Sequence, residues 1–136
     1  PPTQEDKSEN TALPTIYLSV FDKTQDPSPD LNKKELSRSN KNEQICWVAT
    51  GTFAEQETVS EIFKAPAKMK FTINNIEGAS ADKKVHTITY TRPTIENGKY
   101  MMNCWLLDKQ DPVGKYVLTV KIGEQELEKQ VFYVKK

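Results

Sequence analysis

Ten residues near the C-terminus constrain this chain most: Asp111-Pro112-Val113-Gly114-Lys115-Tyr116-Val117-Leu118-Thr119-Val120. Asp-Pro and Gly mark a turn, and an alternating segment follows it. Tyr116, Leu118, Val120 and Ile122 fall on one face, while Lys115, Val117, Thr119 and Lys121 fall on the other. A period of two with one apolar face is the pattern of a strand with one buried side. Gly123-Glu124-Gln125 then reads as a turn, and Val131-Phe132-Tyr133-Val134 as a second strand. The chain is therefore expected to close in a β-hairpin.

Thr15 to Phe21 is a strand with Ile16, Leu18 and Val20 on one face. Asp22 to Asn42 is polar and holds Pro27 and Pro29, with a short helix or turn expected around Ser28 to Leu36. So long a connection in a small domain is often functional. Ile45 to Phe53 carries few charges and reads as a central strand. Val59 to Lys64 follows as a strand, stopped by Pro66. Lys68 to Ile73 alternates, with Met69, Phe71 and Ile73 inward, and Asn74 to Lys83 reads as a loop. Lys84 to Thr91 is a further strand, ended by Pro93, and Asn97-Gly98 signals a hairpin into Lys99 to Leu107. About eight short strands with turn residues between them and no long helix predict an all-β sandwich of two antiparallel sheets.

Length and charge bound the function. At 136 residues the chain matches one domain, able to bury a core without metal. Residues 1–12 are polar and are expected to be a disordered spacer, with 13–136 forming the domain. Such a spacer would suit a lipid-tethered or surface-associated form. Nineteen basic residues balance nineteen acidic ones, which argues against nucleic acid as the main partner. No apolar run is long enough for a transmembrane segment.

Cys46 and Cys104 are each followed by a tryptophan, Trp47 and Trp105. No Cys-x-x-Cys spacing and a single histidine exclude a Cys/His zinc cluster. One Cys46–Cys104 disulfide is the preferred reading, with two buried free thiols as the alternative. The bridge implies an oxidising compartment, and the absence of an Asn-x-Ser/Thr acceptor points to a bacterial periplasm or cell surface. If the cysteines face inward, alternation turns Trp47 and Trp105 outward as candidate binding residues for sugars or protein partners. The favoured arrangement is the reverse, with both tryptophans in the core.

The run Asp111-Pro112-Val113-Gly114-Lys115-Tyr116 resembles the Asp-x-x-Gly-x-Tyr corner of immunoglobulin-like and fibronectin-like sandwiches. The resemblance covers roughly the last 35 residues and implies that Tyr116 bonds back to the preceding turn, with Asp111 and Gly114 shaping the corner. It extends to the short immunoglobulin-like domains of bacterial surface and periplasmic proteins. It departs at the bridge: Leu118 stands where such domains place the second cysteine, and Cys104 precedes Tyr116.

No pattern points to catalysis. His86 lies in a predicted strand without a Gly-x-Ser-x-Gly element and reads as a surface or edge histidine. Asp26, Asp30 and Glu35 lack calcium-loop spacing and read as loop solvation, and no phosphate loop or dinucleotide fingerprint implies a cofactor. The expected function is a non-enzymatic, extracytoplasmic, protein-binding domain. Its expected contact surfaces are the Asp22 to Asn42 loop and the exposed strand edges. A carbohydrate- or small-ligand-binding sandwich is the alternative.

Overall fold

The computed structural model describes residues 14–70, 72–73, 76–77 and 82–136. Two mainly antiparallel layers face each other. The first orders β1 (Thr15–Asp22), β3 (Glu43–Thr50) and β8 (Tyr100–Trp105) as β1-β3-β8. The second holds β2 (Glu35–Ser37), β4 (Gln56–Lys64), β7 (Val85–Pro93), β9 (Gly114–Ile122) and β11 (Gln130–Lys135) in the order β2-β11-β9-β4-β7. β10 (Gln125–Glu126) pairs with β9, and β5 (Thr72–Ile73) with β6 (Ile76–Glu77) makes a small separate hairpin. The fold is the all-β sandwich expected from the strand pattern, with the immunoglobulin-like form that the corner resemblance implies.

Alternation builds the core. Tyr116, Leu118, Val120 and Ile122 of β9 are all buried, facing Ile45, Trp47 and Ala49 of β3 and Leu18 and Val20 of β1 within one cluster. β3 is central in its sheet, and β9 closes on β11 as the expected C-terminal hairpin. Tyr116 stacks on Phe132, with ring centroids 5.0 Å apart, and Phe132 meets Phe63 edge-on.

The Asp22 to Asn42 connection holds no helix. Its backbone runs back along the free side of β1: Asp22 N–H donates to Pro29 O, Leu31 N–H to Val20 O and Val20 N–H to Lys33 O. Asp30 accepts from Ser19 Oγ (2.5 Å) and Tyr17 OH (2.6 Å). Leu36 is then buried in β2, which belongs to the other sheet and pairs there in parallel with β11. The segment thus covers one sheet edge and carries the chain to the other layer.

Asn97-Gly98 does not join paired strands, because β7 and β8 lie in different sheets. The turn closes only a single bridge, Ile95 to Tyr100, and is tied sideways to the preceding loop, with Phe53 N–H donating to Gly98 O and Thr94 N–H to Glu55 O. Gly98 has φ +84, and a Cβ there would sit 2.4 Å from Phe53 O, so backbone approach, not strand pairing, demands this glycine. Lys68 to Lys70 are not in a strand either, since pairing starts only at Thr72. Met69 is buried as expected, whereas Phe71 and the spacer of residues 1–12 lie outside the described residues. Within the expected Asn74 to Lys83 loop, Ile76–Glu77 forms β6.

Candidate functional site

The C-terminal end of β8 combines a buried polar network with an open cleft. β4 alternates Val59, Glu61 and Phe63 toward the core, which places a carboxylic acid where an apolar residue is expected. Glu61 is fully buried. Its Oε2 accepts from Tyr90 OH (2.5 Å) and Asn103 Nδ2 (2.6 Å), and its Oε1 accepts from Trp105 Nε1 (2.8 Å). Arg92 lies over the Tyr90 ring, 4.7 Å from its centroid, and donates to Asn103 Oδ1 and Met102 O. Burial, then the Glu61 charge and hydrogen bond, push the Tyr90 phenol far above its ordinary range, so it stays a donor. The network joins β4 and β7 of one sheet to β8 of the other.

Trp105 links this network to the cleft. Its ring meets Phe63 edge-on at 5.4 Å. The cleft has a volume of about 420 Å³ and is lined by Met69, Lys70, Gln110, Asp111 and the run Trp105 to Asp108. That volume falls in the range of sites that take small ligands or peptide side chains. Leu106 is 56% exposed. The lining mixes apolar Trp105, Leu106, Leu107 and Met69 with Lys70, Asp108, Gln110 and Asp111, and Leu107 and Met69 are buried. Burial pushes the Asp111 carboxyl up, reinforced by the Asp108 charge, against a hydrogen bond from Asp108 N–H and the pull of Lys41 and Arg38.

The structure sorts the residues singled out in the sequence. Cys46 and Cys104 are bonded, with S–S 2.08 Å and Cα–Cα 4.1 Å, and they are direct partners across β3 and β8. The bridge therefore lies within one sheet and faces away from the core, because Ile45, Trp47 and Ala49 take the inner positions. Tyr116 OH donates to Pro112 O (2.7 Å). Gly114 has φ +138, and a Cβ there would meet Pro66 Cβ at 2.9 Å, so this corner position needs glycine. Arg38 Nη1 binds Asp111 O (2.6 Å) and ties the corner to the end of β2.

Trp47 corrects the candidate binding pair: it is buried in the core, where inner alternation on β3 puts it out of a ligand's reach. Trp105 reaches the cleft wall. His86 is fully buried, not a surface residue, because β7 turns its even-numbered residues inward; its Nε2 lies 2.7 Å from Lys83 O. The Glu61 network was missed in the sequence. Its signal was the acid at the inner position of Val59-x-Glu61-x-Phe63.

Residues 16–135 match the family described as the PM0630 beta sandwich domain. The uncharacterized protein PM0630 of Pasteurella multocida (strain Pm70) is 26% identical over 121 residues, covering 87% of this chain and 76% of that protein. Among solved structures, the chain resembles an immunoglobulin-like protein (PA1606) from Pseudomonas aeruginosa. The TM-score is 0.58 and the identity 10%, over 92% of this chain and 98% of that one. At that identity the likeness concerns the fold alone.

Proposed function

This chain belongs to the PM0630 beta sandwich domain family, and on that premise we propose that it is a non-enzymatic, immunoglobulin-like module that binds another protein outside the cytoplasm. The cleft at the end of β8 carries the reading: exposed Leu106 and the partly buried Trp105 line it together with Lys70, Asp108, Gln110 and Asp111. An aromatic anchor beside an exposed aliphatic side chain and polar groups is a composition that protein-binding surfaces use. Trp105 is held by Glu61 on one side and Phe63 on another, so the wall is rigid before a partner arrives, which lowers the ordering cost of binding. Glu61 serves to position that wall, since three donors occupy its oxygens. The Cys46–Cys104 bridge supports the periplasm or cell surface as the compartment.

A photo-cross-linking residue at Leu106 in the native cell tests this, with the same residue at exposed Gln125, beyond the other end of β9, as control. A discrete protein adduct at 106 and none at 125 is expected. No adduct at either position would overturn the reading. Trp105 on the cleft wall also favours a second reading, a sugar or small-ligand site. A saturable change in tryptophan fluorescence with oligosaccharides, lost in Trp105→Phe, would select it.

A further inference from the structure

Sheet edges expose backbone donors and acceptors, and folded proteins usually cover or charge them. Three edges here are managed. The Asp22 to Asn42 segment bonds along β1. On β8, Met102 O accepts from Arg92 and Tyr100 N–H donates to Ile95 O. β2 is only three residues long.

β7 is different. The pairs Ala65 N–H to Lys84 O and Thr94 N–H to Glu55 O continue the β4–β7 register at both ends. Alternation of an antiparallel ladder then sends the backbone groups of His86, Ile88, Tyr90 and Arg92 toward β4. Those of Thr87, Thr89 and Thr91 point away from the sheet. Among the described residues, no backbone partner meets them. Val85 N–H is already bonded to Asp82 Oδ1, and Pro93 has no N–H to give. The free run is therefore Thr87 to Thr91, centred on Thr89. Its outer side chains are neutral, exposed and β-branched, and no charge, proline or bulge blunts it.

We propose that two copies of this chain pair through β7, antiparallel across a twofold axis at Thr89. Thr87 then faces Thr91 of the second copy, Thr89 faces Thr89, and each pair exchanges both backbone hydrogen bonds. A twofold contact must be self-complementary, and the outward residues Thr87 and Thr91 are alike about Thr89. The net charge of zero sets no overall repulsion between copies. The two six-stranded sheets would join into one continuous layer. The cleft takes no part, so this contact stands or falls apart from the proposed binding site.

Sedimentation equilibrium of the purified chain tests the pairing from about 10 μM to about 1 mM, where a contact at the small end of interface size associates. A monomer–dimer equilibrium is expected. Thr89→Pro removes the central outward N–H while leaving the ladder to β4 intact, and should weaken association about tenfold or more. Thr89→Lys, which keeps the backbone, brings two ammonium groups together at the axis and should do the same if the proline variant fails to fold. Circular dichroism confirms that the variants are folded. A wild-type chain that stays monomeric throughout overturns the proposal. So does a dimer that both folded variants leave unchanged.

Discussion

Glu61 is the residue on which the candidate site turns. Three hydrogen-bond donors from two strands, one in each sheet, converge on its carboxyl group. Glu61→Ala would leave Tyr90 OH, Asn103 Nδ2 and Trp105 Nε1 buried without that acceptor, at a cost of about 3 kcal/mol or more. Glu61→Gln keeps the size but turns an N–H2 toward donors, so it should also destabilise. Glu61→Leu combined with Tyr90→Phe should recover part of the alanine loss, because a matched apolar pair leaves fewer polar groups stranded. Urea unfolding midpoints check all three. A Glu61→Ala loss below about 1 kcal/mol would mean that water replaces the carboxylate and that the network is not what holds Trp105.

At the scale of elements, the bridge and the corner act on different joints. Cys46–Cys104 staples β8 to β3 within one sheet, whereas Tyr116 fastens the start of β9 to its own turn. β8 has a partner strand on one side only, so the bridge guards a strand that could otherwise fray. A closed loop of 58 residues is worth about 4 kcal/mol in the chain-entropy view. The Cys46→Ala/Cys104→Ala variant should lose about 2–4 kcal/mol in urea unfolding. It should also loosen Trp105, seen as a red shift of its fluorescence before global unfolding. A loss under about 1 kcal/mol would show that the β3–β8 ladder alone suffices.

For the whole molecule, acid stability follows from carboxyls shifted in opposite directions. Burial raises Asp111. The neutral form is thus favoured in the fold, and the stability it brings is full below the unfolded value of about 3.9. That stability is lost as pH rises through the raised folded value. Burial also pushes Asp30 upward, but hydrogen bonds from Ser19, Tyr17 and Asn32 N–H, with the Lys34 charge, outweigh it and hold the carboxyl low. Its contribution is present above about pH 3.9 and is lost as pH falls through the lowered folded value. Asp111→Asn should therefore match or exceed the parent in Tm at pH 7, with the gap closing toward about pH 4. Asp30→Asn should be less stable at pH 7, with its deficit closing below about pH 4. Melting curves across pH decide it, and parallel curves for parent and variants would contradict both assignments.

By itself the sequence determined the layer architecture, because the period-two placement of large apolar residues on β1 and β9 needs only the strand's own geometry. It also determined the corner at Asp111 to Tyr116, whose contacts span four residues. Tertiary structure decided everything that depends on which strands meet. It seated Trp47 inside and Trp105 on the cleft wall, turned Asn97-Gly98 into a crossing between sheets, and placed His86 in the core. Glu61 found its donors on strands 29 to 44 residues away. Alternation tells which side of a strand a residue takes, but only strand order tells what waits there. Strand order is set by packing two whole faces together, a sum over the chain that no local pattern carries.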